Sequence, residues 1–281
     1  MKKSVAVLAI HGIGSQGVPA SKTSSELTFS KELARRVVKK IGKGKFKQHV
    51  AWREVFWADV LQSRQKRYLR KIKRQTSVGL LRRYLVHNLS DAAAYRKIPN
   101  DPNANTYERI HGRIDRVLDD FQRDPDVDGN ARLIILAHSL GGHIMSNYLY
   151  DMQKNPPPNL TDFQQAKTTM AFVTFGCNIP LFTFAYSPPD VTPISRPGTA
   201  LKVKYKLKTW WGNYYDKDDV LGFPLEGIGP KYKALVKNRE LKEIQINAGN
   251  LFRSRTPWSH NDYWEDKDFY GPVARLIKKA I

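Results

Sequence analysis

The sequence predicts an α/β protein with a mainly parallel β-sheet, helices on both faces of the sheet and a helical cap inserted into it. Short continuous apolar runs recur along the chain, and such runs are typical of strands that are buried on both faces of a parallel sheet. Between them lie longer stretches whose apolar residues repeat at helical spacing. Because strands and helices alternate, we expect helices to cover both faces of the sheet.

Length and composition favour a single domain over residues 1–281. A chain of 281 residues that is 41% hydrophobic can bury one large core. Cys177 is the only cysteine, which excludes an internal disulfide framework and makes the cytoplasm the expected compartment. The start of the chain has positive charge before an apolar run, as secretory signals do, but the run is too short and is better explained as a first strand. No stretch approaches the ~20 apolar residues that span a bilayer.

The chain is strongly basic. It carries 47 Lys and Arg against 26 Asp and Glu, a formal net charge of +21. A charge of this size attracts phosphates, anionic lipid surfaces and acidic partners. It indicates what the protein associates with and does not identify a reaction.

The first half of the chain supplies two predicted strands and one helix. Val5–Ile10 is the first buried strand, and His11–Gly17 is the loop at its carboxyl end. Apolar residues every four positions predict a helix over Ser24–Ile41, and Val50–Trp57 is the next strand.

The predicted cap, residues 60–104, is basic. Val60–Ser90 contains nine Lys and Arg residues and no acidic residue, with apolar residues between them. This pattern predicts a basic, weakly amphipathic pair of helices, which the Asn- and Pro-rich loop Asn100–Asn105 ends.

The second half continues the alternation. An apolar stripe predicts a helix after Asn105, which could form a capping box with Glu108. Gly129 and Asn130 break this helix before the strand Leu133–Leu136. The remaining predicted elements are the helix Gly141–Met152, the strands Met170–Phe175, Leu207–Tyr214 and Glu243–Asn247, and the terminal helix Tyr270–Ile281.

Ser139 lies where a buried strand turns into a helix. Ala137 and Gly141 are the small residues that a sharp turn needs on either side of it, and Gly142 lets the helix approach closely. The turn exposes the serine hydroxyl above the sheet edge and places the Leu140 amide at a helix N-terminus, where it can donate to an oxyanion. A serine at a helix start can also be a simple N-cap.

The turn resembles the nucleophile elbow of the α/β-hydrolase family, Gly-x-Ser-x-Gly, with Ala137 at its first position as in small bacterial lipases. His11–Gly17 is similar to the His-Gly oxyanion loop of lipases and esterases. The resemblance implies that the Ile13 amide is the second oxyanion donor beside Leu140. The alternatives are a glycine-rich turn and a weak phosphate cradle, although dinucleotide-fingerprint spacing and a P-loop lysine are missing.

The base is predicted from the family's chain order of nucleophile, acid and base. Only His143 and His260 follow Ser139, and His143 comes one turn into the nucleophile helix, before any candidate acid. His260 is therefore the expected base, because it lies in a loop after the last predicted strand.

The candidates for the acid are three aspartates that follow one predicted strand, Asp216, Asp218 and Asp219. The stretch resembles a hydrolase pattern whose last aspartate is the acid, which favours Asp219. Asp218 remains open as the second candidate, and the other aspartates would be loop caps or solvated charges.

Together these features predict a serine hydrolase that cleaves a carboxylic ester, favouring a lipid-like one, through an acyl-enzyme on Ser139. No metal and no organic cofactor are required. The expected partners are a small-molecule or lipid ester and the surface of an anionic membrane, and nucleic acid is not expected. The alternative is an inactive hydrolase-fold protein that binds anionic membrane or nucleic acid through its basic surface.

Overall fold

The computed structural model describes residues 1–12, 23, 25–72, 93–95, 105–248 and 259–281. In these residues six strands form one sheet, in which every pairing is parallel and the order is β2-β1-β3-β4-β5-β6. The strands are β1 Lys3–Ile10, β2 Val50–Val55, β3 Val127–His138, β4 Thr169–Phe175, β5 Trp211–Asp216 and β6 Leu241–Ile246.

Helices cover both faces of the sheet. They are α1 Lys31–Ile41, α2 Lys43–His49, α3 Asp59–Ile72, α4 Thr106–Arg123, α5 Leu140–Lys154, α6 Pro230–Lys237 and α7 Lys267–Ala280. Leu8 of β1 packs in one core with α4 and α5, whereas its neighbour Val7 packs in a second core with α1 and α7. Successive side chains of a strand point to opposite faces, so the central strands are buried on both sides. The predicted α/β class with a parallel sheet is confirmed.

The strand order has a switch point at the carboxyl edge of the sheet, between β1 and β3. The chain passes from β1 to β2 on one side and then returns to β3 on the other side of β1. Ile10 and Ala137, near the ends of β1 and β3, are paired in register. Ligands of open parallel sheets bind at such a switch point, because the loops leaving the two strands diverge there.

The helix predicted over Ser24–Ile41 begins later, at Lys31. Glu54 of β2 explains the difference, because its buried carboxylate accepts hydrogen bonds from the amides of Thr28 and Ser30, at 2.8 and 2.6 Å. These bonds hold the segment before Lys31 as a loop around the Glu54 carboxylate. Because Glu54 is distant in the sequence, the helical spacing of apolar residues does not indicate this contact.

Two predictions about where elements begin and end were wrong. Asn105 makes no side-chain bond to cap α4, so the capping box with Glu108 does not form. Gly129 and Asn130 lie inside β3 rather than before it. The register between β1 and β3 shifts at this point, and such an irregularity accommodates residues that otherwise interrupt a strand.

The strand predicted over Leu207–Tyr214 begins only at Trp211 and extends to Asp216. Arg196 explains the late start, because its guanidinium donates to the carbonyl oxygens of Leu207 and Lys208. The other predicted strands and the terminal helix are present with bounds shifted by a few residues. The short helices α2 and α6 were missed.

The predicted cap is described only in part. The helix α3 covers its first residues, and Asp59 at the start of α3 forms an ion pair with Arg113 of α4. Residues 93–95 are also described, and the rest of the 60–104 segment lies outside the described residues. Among the helices that are described, none is long and apolar enough to cross a membrane.

Candidate active site

Ser139 sits between β3 and α5 in a backbone conformation that serine rarely adopts, with φ of 53° and ψ of −126°. Its amide donates to the Phe175 carbonyl oxygen at 3.0 Å, which fixes the turn to the end of β4. Its side chain makes no capping bond to α5, so the N-cap explanation fails. The Ser139 hydroxyl is buried, not exposed as predicted, and within the described part of the chain its Oγ has no hydrogen-bond partner. Strain together with an unpartnered hydroxyl is typical of a functional serine.

Glycines allow the backbone to crowd around this turn. A Cβ on Gly12, in the loop after β1, would lie 2.9 Å from Ser139 Oγ. A Cβ on Gly141 would lie 2.7 Å from the His11 carbonyl oxygen, and one on Gly142 would lie 2.7 Å from Cys177 Sγ. These distances are below normal contact, so the β1 loop, the serine turn and the start of α5 can meet only with glycine at these positions.

The structure brings His260 and Asp219 together. His260 Nδ1 lies 2.8 Å from one carboxylate oxygen of Asp219 and 3.0 Å from the other, and both residues are buried. Asp218 has a different place, because its amide donates to Asp216 Oδ1 at 2.8 Å. The second oxygen of Asp216 accepts the Ala248 amide, so this aspartate acts as a loop cap.

Three donors keep the Asp219 carboxylate ionised. Burial alone would raise its pKa, but hydrogen bonds from His260, the Leu221 amide and the Tyr263 hydroxyl outweigh burial, and the pKa lies below its ordinary value. Burial beside this carboxylate raises the pKa of Tyr263, so the phenol stays protonated and can donate. The same phenol oxygen accepts the Asp216 amide at 2.9 Å.

The His260 ring is adjacent to the serine turn. Gly176 directly follows the residue that bonds the Ser139 amide, and a Cβ on Gly176 would lie 3.0 Å from His260 Cε1. The ring of His138, the residue before Ser139, has its centroid 4.7 Å from that of His260. His260 Nε2 is buried and, among the described residues, has no hydrogen-bond partner.

His138 holds the backbone of His260. Its Nε2 donates to the His260 carbonyl oxygen at 2.7 Å, and both groups are buried. Burial, followed by the neighbouring His260, holds the pKa of His138 well below its ordinary value, so the ring is neutral. The sequence offered no signal for this contact, because the two residues are 122 positions apart.

His11 fixes the loop that faces Ser139. Its Nδ1 donates to the Gly12 carbonyl oxygen at 2.6 Å, and its Nε2 accepts the Trp57 amide at 3.1 Å. The Trp57 indole stacks on the ring, with 5.0 Å between centroids. Burial lowers the pKa of His11 to about 4, although the bond to Gly12 opposes this, so the ring is neutral and can make both bonds at neutral pH.

Of the two predicted oxyanion donors, Leu140 is among the described residues and Ile13 is not. Leu140 is the first residue of α5, and the amides of a first helical turn have no partner within the helix. It is therefore placed to donate beside Ser139. Ile13 lies outside the described residues.

His143 takes no part in this group. Its ring stacks on Phe182 with 4.0 Å between centroids, and burial lowers its pKa to about 3. No group of three or more His, Cys, Asp or Glu side chains in the described ranges could hold a metal ion.

A scan of the chain against protein-family models finds no match, and a search of curated proteins finds none either.

Proposed function

We propose that this chain is a serine hydrolase of the α/β-hydrolase family that cleaves a carboxylic ester through an acyl-enzyme on Ser139. One observation carries the proposal. Ser139 Oγ and His260 Nε2 are buried on neighbouring loops of one sheet edge, each without a hydrogen-bond partner among the described residues, while Asp219 holds the opposite nitrogen of the imidazole. In catalytic triads the acid holds the base in this way, and the other nitrogen of the imidazole takes the proton of the nucleophile.

In the first half of the reaction, His260 Nε2 takes the proton of Ser139 Oγ as the oxygen attacks the ester carbonyl carbon. The ionised Asp219 stabilises the imidazolium and keeps its own charge. The negative charge that forms on the carbonyl oxygen is stabilised by the Leu140 amide at the positive end of α5, and we assign the second donor to the Ile13 amide.

The first half ends when the carbon–oxygen bond to the alcohol breaks and His260 returns its proton to the departing oxygen, which leaves the acyl group on Ser139 Oγ. The second half hydrolyses this acyl-enzyme. Water then enters, and His260 removes its proton as the water oxygen attacks the acyl carbon. The bond between the acyl carbon and Ser139 Oγ then breaks and His260 gives its proton to Oγ, which releases the carboxylic acid and restores the Ser139 hydroxyl. Each step uses only these side chains, backbone amides and water.

We favour a lipid-like ester as substrate and an anionic membrane as the surface on which it is met. The support is the net charge of +21 and the exposed cations Arg67, Arg70 and Lys71 of α3, at the start of the proposed cap. Basic residues near an anionic surface add binding free energy of roughly 1 kcal/mol each.

The test is hydrolysis of a series of p-nitrophenyl esters by the wild type and by Ser139→Ala. We expect measurable kcat/KM in the wild type and a loss of about five to six orders of magnitude in the variant, because members of a triad act as a unit. Ser146→Ala, on the same helix, is the matched control and should retain activity. Full activity in Ser139→Ala would contradict the proposal.

A further inference from the structure

Exposed apolar side chains concentrate at the sheet edge that carries Ser139. In the described residues, four of the large apolar side chains that face solvent lie in the loops after β4 and β5. They are Leu181, Phe184, Tyr186 and Val220, with exposed fractions of 41%, 77%, 66% and 60%. Apolar side chains scattered singly over a surface need no explanation, but a group at one edge indicates an interaction surface.

The loop after β4 presents these side chains on a fixed support. Ile179 and Pro180 are buried in the core, and Phe182 stacks on His143 of the nucleophile helix. The amides of Thr183 and Tyr186 bond to carbonyl oxygens three residues earlier, so the loop is a series of tight turns. Its inner side chains pack on α5, and its outer ones, Leu181, Phe184 and Tyr186, face away from the protein. We call these three the apolar tip.

The charges around the apolar tip fit an anionic lipid surface. Residues 176–195 contain no Lys or Arg and only one acidic residue, Asp190, so the tip can enter an apolar layer without taking charge with it. Exposed cations lie on other elements of the protein. Helix α3 begins after β2 at the same edge and exposes Arg67, Arg70 and Lys71, and Lys217 is exposed in the loop after β5. A surface that combines apolar and aromatic side chains with basic ones is typical of peripheral membrane binding.

We propose that Leu181, Phe184 and Tyr186 insert into the interface of an anionic phospholipid membrane and seat the Ser139 edge of the sheet against the lipid. The binding surface itself is independent of catalysis. Its role in delivering an ester from the membrane to Ser139 rests on the proposed function.

The experiment measures co-sedimentation of the full chain with vesicles of phosphatidylcholine alone and of an equal mixture with phosphatidylglycerol. The variant is Phe184→Ser with Tyr186→Ser, which changes two exposed side chains and should leave the fold intact by circular dichroism. Val203→Ser is the matched control, because Val203 is 84% exposed but lies in the connection that enters β5, at the opposite edge. We expect the wild type and the control to bind the mixed vesicles equally, and the double variant to bind them about 100-fold more weakly.

Several results would overturn the proposal. One is equal binding of the double variant and the wild type, and another is a wild type that does not bind the mixed vesicles. A third is unchanged vesicle binding with a raised KM for long-chain esters, which would make the tip an acyl-chain site. Ser139→Ala should bind vesicles as the wild type does. A wild type that binds the mixed vesicles but hydrolyses no ester would therefore count against the proposed function alone.

Discussion

His260 is held by Asp219 through one ring nitrogen while its other ring nitrogen is left without a partner in the described structure. Nδ1 lies 2.8 Å from Asp219 Oδ2, and Nε2 is buried beside the turn that carries Ser139. An ionised carboxylate can only accept hydrogen bonds, so the ring nitrogen that faces Asp219, Nδ1, carries the proton. In this tautomer Nε2 is an acceptor. This is the tautomer that a general base for Ser139 requires.

The first prediction separates the two candidate acids. Asp219→Asn should lower kcat by about 10⁴-fold, because the amide cannot stabilise an imidazolium and favours the wrong tautomer of His260. Asp218→Asn should change kcat by less than about 10-fold, since the acid's role depends on contact with the imidazole. Both are measured with a p-nitrophenyl ester, and the reverse order would move the acid to Asp218.

The second prediction concerns the donor to the acid. Tyr263→Phe removes the hydrogen bond to Asp219 Oδ2 and should raise the pKa of that carboxyl. We expect kcat to fall about 10-fold and the free energy of unfolding to fall by about 1–2 kcal/mol, because the Asp216 amide also loses its acceptor. Tyr150→Phe, an exposed position on α5, is the control. Unchanged kcat in Tyr263→Phe would show that the bond serves stability alone.

The third prediction treats His138 as a positioning residue. His138→Leu removes the donor to the His260 carbonyl oxygen and should lower kcat about 10²-fold by loosening the base. His138→Gln keeps an N–H donor on a side chain of similar length and should recover most of this loss. The pH profile of kcat is recorded for both. If leucine and glutamine behave alike, the contact does not orient the base.

The fourth prediction uses the burial of His11. Its pKa is about 4 in the folded chain against 6.5 for an unperturbed histidine, so the unfolded chain binds the extra proton between these values. The contribution to stability is complete above pH 6.5 and falls as the pH decreases toward 4, by about 3 kcal/mol. Urea unfolding at a series of pH values measures the free energy of unfolding. We expect this free energy to fall less steeply with decreasing pH in His11→Asn than in the wild type. An unchanged slope would mean that the pKa of His11 is the same in the folded and the unfolded chain.

Local features of the fold and the site can be predicted from the sequence. The turn at Ser139 is specified by the buried strand before it and the small residues around it, and the structure places a strained serine there. Asp219 was favoured over Asp218 only by resemblance. Which of the two contacts His260 depends on the turn after β5. There Asp216 accepts the amides of Asp218 and Ala248, and Asp219 faces His260.

Contacts between distant segments could not be predicted. Tyr263, His138 and the Trp57 support of His11 join loops that meet only after the sheet has formed, and no periodicity marks them. The same reason explains the error at the start of α1, where Glu54 holds residues that have helical spacing.

The most direct test of the account is covalent labelling by a fluorophosphonate, which reacts with activated serines, followed by mass mapping of the modified residue. Labelling should occur at Ser139 in the wild type and fall by several orders of magnitude in rate in His260→Ala, because the hydroxyl then has no base. Folded protein that does not label at all, or labels at a serine other than Ser139, would contradict the assignment of Ser139 as the nucleophile.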